Sequence, residues 1–487
     1  MDYDLAVIGG GAAGLTAAGI AANAGVKTLL VEAHRLGGDC TWDGCIPSKT
    51  LLHAARVAHT VREAGRFGIG AEAPRVDFPA VMGHVRAVRA DVYRDADAPE
   101  LFEAFGVTVV HGRARFVNPH ALEIRADGEA PRRVTARRFV ICAGGRPRVP
   151  PLPGLDGVPY HTNRTLFELE AQPRRLAILG AGPVGIEMAQ AFARLGTEVT
   201  VVGRAPEILS RDEPVLAAML RQRLHAEGVR FVLGATVARV AQAGDAVEVH
   251  LQGGALRAAD ALLVATGREP AIEGLGLDAA GVACTRAGIT VDDGGRTSQR
   301  HVWAAGDCTG EFALTHMSEH TAKVAVTNAV LRVPMRIDRA HVPWVTFTDP
   351  ELGRVGASEA ELRAAGTRHE VYRFPYARLD RAVTEGATTG EVRVLATAWT
   401  GRILGASVLG ERAGELVSLY AVAMKNGVGL KALADTLHPY PTYALGARRA
   451  ADQWYARKQY PAAVKALQRV FGYRGRVPPP PDPERIV

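Results

Sequence analysis

The chain has 487 residues, 47% hydrophobic and 22% charged, with 53 Gly, 6% aromatics and five Cys. That balance describes a globular protein of roughly three domains at about one per ~150 residues, and it excludes disorder, a collagen repeat and a secreted disulfide scaffold. The 58 Lys and Arg exceed the 51 Asp and Glu by seven, spread thinly along most of the chain, which favours anionic small molecules and argues against a nucleic-acid partner.

The N-terminus, MDYDLAVIGGG, enters an apolar strand with no basic n-region, and no apolar run reaches 18 residues, so the expected location is cytoplasmic. Periodicity predicts a strand at Leu5–Ile8, a glycine turn, a helix through Ala12–Ala24 and a strand at Lys27–Glu32, a βαβ unit. The pattern recurs as strand Leu176–Leu179, a turn over 180–185, a helix to Leu195 and strand Glu198–Val202. ICAGGRP (Ile141–Pro147) and VATGREP (Val264–Pro270) read as strand ends with glycine turns, Gly267 among them, each closing one half. VPPLPG (Val149–Gly154) reads as a linker. From about His341 the texture becomes α+β, with strands at Trp344–Thr348 and Gly390–Ala396 and helices near Gly414–Asn426 and Leu430–Asp435. The closing VPPPPDPERIV is expected to be flexible.

Three motifs carry chemistry. Gly9, Gly11 and Gly14 form a G-x-G-x-x-G turn between strand and helix, where backbone approaches a pyrophosphate, and Glu32 ends the next strand, placed to accept from a ribose diol. Gly180, Gly182 and Gly185 repeat the fingerprint, but the following strand ends in Val202-Gly203-Arg204. An acid there would repel a 2′-phosphate whereas Arg204 pairs with one, which selects NADPH over NADH. The third motif is GGDCTWDGCIPSK, Gly37 to Lys49. Cys40 and Cys45 stand at the start of a predicted helix, close enough for a disulfide and in a field that favours thiolate. Two more ligands for a resident zinc are missing nearby, so no permanent metal is expected.

With these motifs the chain resembles the class I flavoprotein disulfide reductases, the family of glutathione reductase, dihydrolipoamide dehydrogenase and mercuric reductase, over about residues 1–450. The resemblance implies an α/β fold of two Rossmann-like domains, for FAD and NAD(P)H, plus an α+β dimerisation domain. Its expected divisions are 1–150 (FAD, with the Cys pair), 151–270 (NAD(P)H), 271–340 (FAD, second part), 341–452 (dimerisation) and 453–487 (basic tail). TSQRHVWAAGDC (Thr297–Cys308) implies that Gly306 and Asp307 bind FAD. VTFTDPELGRVG (Val345–Gly356) resembles the opening of the dimerisation domain of a homodimer. Carried over by motif, Cys45 is the flavin-proximal thiol, Cys40 the interchange thiol, and Lys49 sits by the flavin paired with Glu187.

The departures concern the acceptor. Disulfide-reducing members carry a His–Glu dyad that protonates the leaving thiolate. Here Pro441-Thr442 sets the register, placing Tyr440 at the histidine and Leu445 at the glutamate, with His438 two residues from Tyr440. Tyr440 and Tyr160 resemble mercuric reductase positions, yet no Cys follows Cys308 to match that enzyme's metal-delivering pair. Cys142, Cys284 and Cys308 read as structural. The implied reaction runs from NADPH through FAD to Cys40–Cys45 and on to a soft metal ion, bound transiently by the two thiols. The alternatives are reduction of a small disulfide, or a thiol sensor or relay to a protein partner.

The tail has its own reading. From Gln453 to Pro481 there are six basic residues and no acid, with Val464, Leu467, Val470 and Phe471 at helical spacing. A helix packed on the dimer accounts for them, and weak peripheral membrane contact is the alternative.

Overall fold

The computed structural model describes residues 1–255 and 258–476, so VPPPPDPERIV lies outside the described residues. The chain divides into two compact units: residues 1–180, 191–202 and 236–338, and residues 181–190, 203–235 and 339–487. Residues 271–338 thus share a unit with 1–150.

The first unit is built on the predicted βαβ. Strand β1 (Tyr3–Ile8) lies parallel to β2 (Thr28–Glu32), with helix α1 (Ala12–Asn23) between them in sequence. Thr108–His111 extends the sheet beyond β2, and Arg132–Ile141 pairs with the other side of β1 and with Val302–Ala304, all parallel. Near-continuous apolar runs suit strands covered on both faces: Leu5, Ala6 and Val7 are fully buried, as are Leu29 and Leu30. Against one face lie Ala17, Ala18 and Ala21 of α1 with Ala322 and Ala325 of helix Thr315–Val326, where small side chains let helix and sheet approach closely. The second fingerprint follows strand Arg175–Leu179, which pairs in parallel with Glu198–Val202 and Ala261–Val264. The two glycine turns read from the sequence contain more than turns. Gly145–Pro147 and Arg268–Pro270 form an antiparallel ribbon that brings Arg268 opposite Pro147.

The second unit carries a five-stranded antiparallel sheet in the order Pro343–Thr346, Glu351–Gly356, Ile403–Gly410, Glu391–Ala396, Glu370–Pro375. Helix Ala413–Lys425 covers it with Leu416, Val417 and Tyr420. Helix Ala444–Phe471 adds Ala447, Ala450, Ala451 and Trp454 to the same core. One helix therefore runs unbroken across residue 452, and it ends at Gly472, whose φ of +68° is the left-handed conformation glycine adopts freely.

Candidate active site

Two glycine packings create the first cradle. A Cβ on Gly14 would lie 1.7 Å from the Gly9 carbonyl oxygen, and one on Gly9 (φ +102°) 2.2 Å from the Cys142 carbonyl oxygen, so strand and helix meet only through glycine. At Gly11, the N-cap of α1, a Cβ would meet only the Gly38 Cα at 3.7 Å, and no side chain caps the helix. The first-turn N–H groups thus have no side-chain acceptor, and with the positive end of the helix dipole behind them this end fits a diphosphate. The Glu32 carboxylate is anchored by the Gly10 N–H at 2.6 Å and the His34 N–H at 2.7 Å, and its remaining lone pairs suit a ribose diol. Gly306 (φ +76°) donates its N–H to Thr321, and Asp307 beside it is paired with Arg268 at 3.3 Å. Burial raises the Asp307 carboxyl, against the opposing pull of Arg268.

The second fingerprint repeats the logic. A Cβ on Gly180 would lie 2.2 Å from the Ala265 carbonyl oxygen, whereas nothing stands within 4 Å of one on Gly182, beside helix Pro183–Leu195. Gly267 (φ +119°) accepts from the Arg148 N–H. Gly185 lies in the helix's first turn and Arg204 is exposed. Glu187 is buried and accepts from the Phe347 N–H at 2.9 Å.

The redox segment folds as two helices rather than one. Cys40 lies in α2 (Gly38–Trp42), and Cys45 opens α3 (Cys45–Glu63), which also carries Lys49. Gly44 permits the reversal between them, since a Cβ there would lie 2.8 Å from the Asp39 carbonyl oxygen. Both cysteines are half-buried free thiols with their side chains in hydrogen-bond contact. That contact, followed by burial, raises the Cys40 thiol strongly. Thr315, the first residue of helix Thr315–Val326, places its Oγ1 3.2 Å from Cys45 Sγ and also hydrogen-bonds Cys40, which pulls the Cys40 thiol down.

Polar side chains hold the segment from Asp39 to Asp43. Arg268 reaches Asp39 at 2.7 Å, Asn163 donates to Asp39 and to the Asp43 carbonyl, and Arg89 donates to the Trp42 carbonyl at 2.9 Å. Thr41 donates to Asp97 at 2.6 Å. Burial and then Asp39 push the Asp43 carboxyl up to about 6. Of the other thiols, Cys142 and Cys308 are buried, Cys308 pushed up to about 12 by burial, and Cys284 is exposed.

In the second unit, Leu445 is buried in the core. Tyr440 is 71% exposed, and a hydrogen bond to Asp380 raises its phenol. His438 faces the Thr436 carbonyl through Nδ1 at 2.9 Å. Tyr160 is half-buried in the first unit. The sequence reading missed Thr315, Asn163 and Arg268. Arg268 stands inside the VATGREP motif and was legible in principle; Thr315 and Asn163 carry no local signal.

Two dinucleotide cradles and an adjacent dithiol on one chain define a nucleotide-dependent dithiol oxidoreductase. Comparison gives the family. The profile for pyridine nucleotide-disulphide oxidoreductases matches residues 3–328, and that for their dimerisation domain matches residues 342–451. The chain belongs to the pyridine nucleotide-disulphide oxidoreductase family, whose members are FAD-dependent enzymes using NAD(P)H. It is 36% identical to a mercuric reductase of Streptomyces lividans, over 92% of this chain and 96% of the relative. A dihydrolipoyl dehydrogenase of Chlamydia muridarum is 33% identical, over 91% and 94%. Among solved structures, the Cu(II) complex of the HOCl-induced flavoprotein disulfide reductase RclA from Escherichia coli matches with a TM-score of 0.83 at 29% identity, covering 93% of this chain and 99% of that one. No helix among the described residues is long and apolar enough to cross a membrane.

Proposed function

We propose that the chain is an NADPH-dependent FAD enzyme that reduces a soft metal ion at Cys40 and Cys45. The observation that carries this reading is the pairing of an adjacent, half-exposed dithiol with a buried Leu445 where disulfide reductases place an acid–base partner. A soft cation binds thiolates directly and leaves no thiol to be protonated, so it needs no such dyad. Names among the relatives and neighbours agree in kind: mercuric reductase, and a Cu(II) complex of RclA.

In this reading Gly9, Gly11, Gly14, Glu32, Gly306 and Asp307 hold FAD, and Gly180, Gly182, Gly185, Arg204 and Gly267 hold NADPH. FAD, when bound, supplies two-electron exchange between nicotinamide and dithiol. The chain's own part is to keep the sulfurs paired and to stabilise thiolate through the Thr315 hydroxyl. Tyr160 and Tyr440 border the acceptor, Tyr440 from the second subunit of a homodimer, for which the dimerisation domain is the support. The competing acceptor is a small disulfide, favoured by the dihydrolipoyl dehydrogenase relative. Steady-state NADPH oxidation by the purified holoenzyme with Hg²⁺, Cu²⁺, lipoamide and oxidised glutathione decides between them. Turnover with a disulfide and none with either metal ion refutes the proposal.

The tail is a proposal of the same kind. Leu467, Val470 and Phe471 are exposed on the last turns of Ala444–Phe471, with Lys465, Arg469, Arg474 and Arg476 around them. Salt-sensitive sedimentation with anionic vesicles, lost on truncation after Asp452, supports membrane contact; equal behaviour of both proteins refutes it.

A further inference from the structure

The segment Asp39–Gly44, which carries Cys40 and leads into Cys45, is held by side chains from distant parts of the chain, and the grip centres on the side chain adjoining Cys40. The Asp39 carboxylate is bonded from two directions. Arg268 Nη1 lies 2.7 Å from Oδ2, and Asn163 Nδ2 lies 3.2 Å from Oδ1. Each partner is fixed in turn. Arg268 leaves a short strand and bonds Asp307 through Nε and Nη2, both at 3.3 Å. Asn163 opens helix Asn163–Leu166 under the Thr162 capping box and also donates to the Asp43 carbonyl at 3.1 Å, so one amide spans the loop from Asp39 to Asp43. Burial alone would lower the Arg268 guanidinium, but Asp39 and Asp307 outweigh it and raise it.

We propose that Asp39, gripped by Arg268 and Asn163, is a positioning residue that presents Cys40 to Cys45 and so sets the stability of the bond between them. The proposal rests on the reading of Cys40 and Cys45 as a redox pair. Its physical basis is preorganisation. A thiol held beside its partner has a high effective concentration, and the chain entropy of closing the bond is already lost in the reduced state. Closing the bond forms one S–S link and releases two electrons and two protons from the dithiol. In a dithiothreitol buffer, oxidised dithiothreitol takes up both and becomes the reduced dithiol.

The test is an equilibrium titration of the holoenzyme in dithiothreitol redox buffers, with Cys40 and Cys45 trapped by alkylation and counted by mass spectrometry. Asp39→Ala is expected to weaken closure about tenfold, an upward shift of ~30 mV in the potential of this two-electron couple. Asn163→Ala should shift it the same way, and the double variant by less than the sum, because both act through one carboxylate. Arg175→Gln, which breaks the half-buried Arg175–Asp260 pair in the same unit, serves as a stability control and should leave the potential unmoved. Asp39→Ala and Asn163→Ala variants that titrate at the parent's potential overturn the positioning role. A parent enzyme that never forms the Cys40–Cys45 bond overturns the redox-pair reading beneath it.

Discussion

Replacing Thr315 by Val removes one hydroxyl from beside both sulfurs and keeps the shape of the side chain. The Oγ1 lies 3.2 Å from Cys45 Sγ and also bonds Cys40. A thiolate can only accept, so in the ionised couple the threonine must donate. A hydrogen bond to a charged group contributes about 1.5–3 kcal/mol, and the half-exposed site argues for the lower end. At 1.36 kcal/mol per unit, ~1.5 kcal/mol is about one pH unit. Thr315→Val should therefore raise the first apparent pKa of the reduced couple by about one unit. Valine at the first position of helix Thr315–Val326 costs the fold little, so the melting temperature should barely change. The assay is the pH dependence of iodoacetamide alkylation of the two-electron-reduced holoenzyme, followed peptide by peptide. An unchanged profile in a variant that retains its flavin would refute the claim that this hydroxyl stabilises thiolate.

Further outcomes follow from the same geometry. Cys45→Ser should abolish the long-wavelength thiolate–flavin absorption of the reduced enzyme, while Cys40→Ser should show it without reductant; identical spectra would reverse the assignment of the two thiols. NADPH should exceed NADH by about tenfold in kcat/KM, ~1.4 kcal/mol, and Arg204→Glu should narrow or invert that ratio; equal use of both nucleotides by the parent contradicts the role of Arg204. The Asp43 carboxyl is pushed up to about 6 by burial and by Asp39, so the folded state binds its proton more tightly than the unfolded chain. Its cost to stability is absent below about pH 4 and grows as pH rises through 6. Asp43→Asn should accordingly raise the melting temperature more at pH 7.5 than at pH 4, and an equal effect at both would show that the carboxyl is not perturbed.

The βαβ unit was legible because strand, glycine turn and helix leave local signals, and β1, α1 and β2 fall within a few residues of the periodic pattern. The thiol pair was legible as a motif, but not the two-helix fold that separates Cys40 from Cys45, which depends on Gly44 lying against the Asp39 carbonyl. Thr315 and Asn163 were illegible because Thr315 reaches Cys45 from 270 residues away and Asn163 reaches Asp39 and Asp43 from more than 100, through the packing of other elements. The turns after Ile141 and Val264 concealed short strands, since the Gly145–Pro147 and Arg268–Pro270 ribbon forms by pairing between segments far apart in sequence. The tail's apolar spacing was visible from Val464 onward. Its continuity with Ala447, Ala450 and Trp454 was not, because alanines buried on a dimerisation core look the same as alanines in water until the sheet beneath them is known.

In the proposed reaction, electrons from NADPH leave this chain through Cys40 and Cys45 to a soft metal ion. The most direct measurement counts product against reductant: holoenzyme, NADPH and Hg²⁺ in a sealed vessel, with elemental mercury vapour and NADPH consumption recorded together. Hg²⁺ takes the two electrons of one NADPH, giving Hg⁰, NADP⁺ and a proton. One Hg⁰ per NADPH is expected for the parent and none for Cys40→Ser or Cys45→Ser. NADPH consumption without mercury release, or release that survives loss of either thiol, would contradict it.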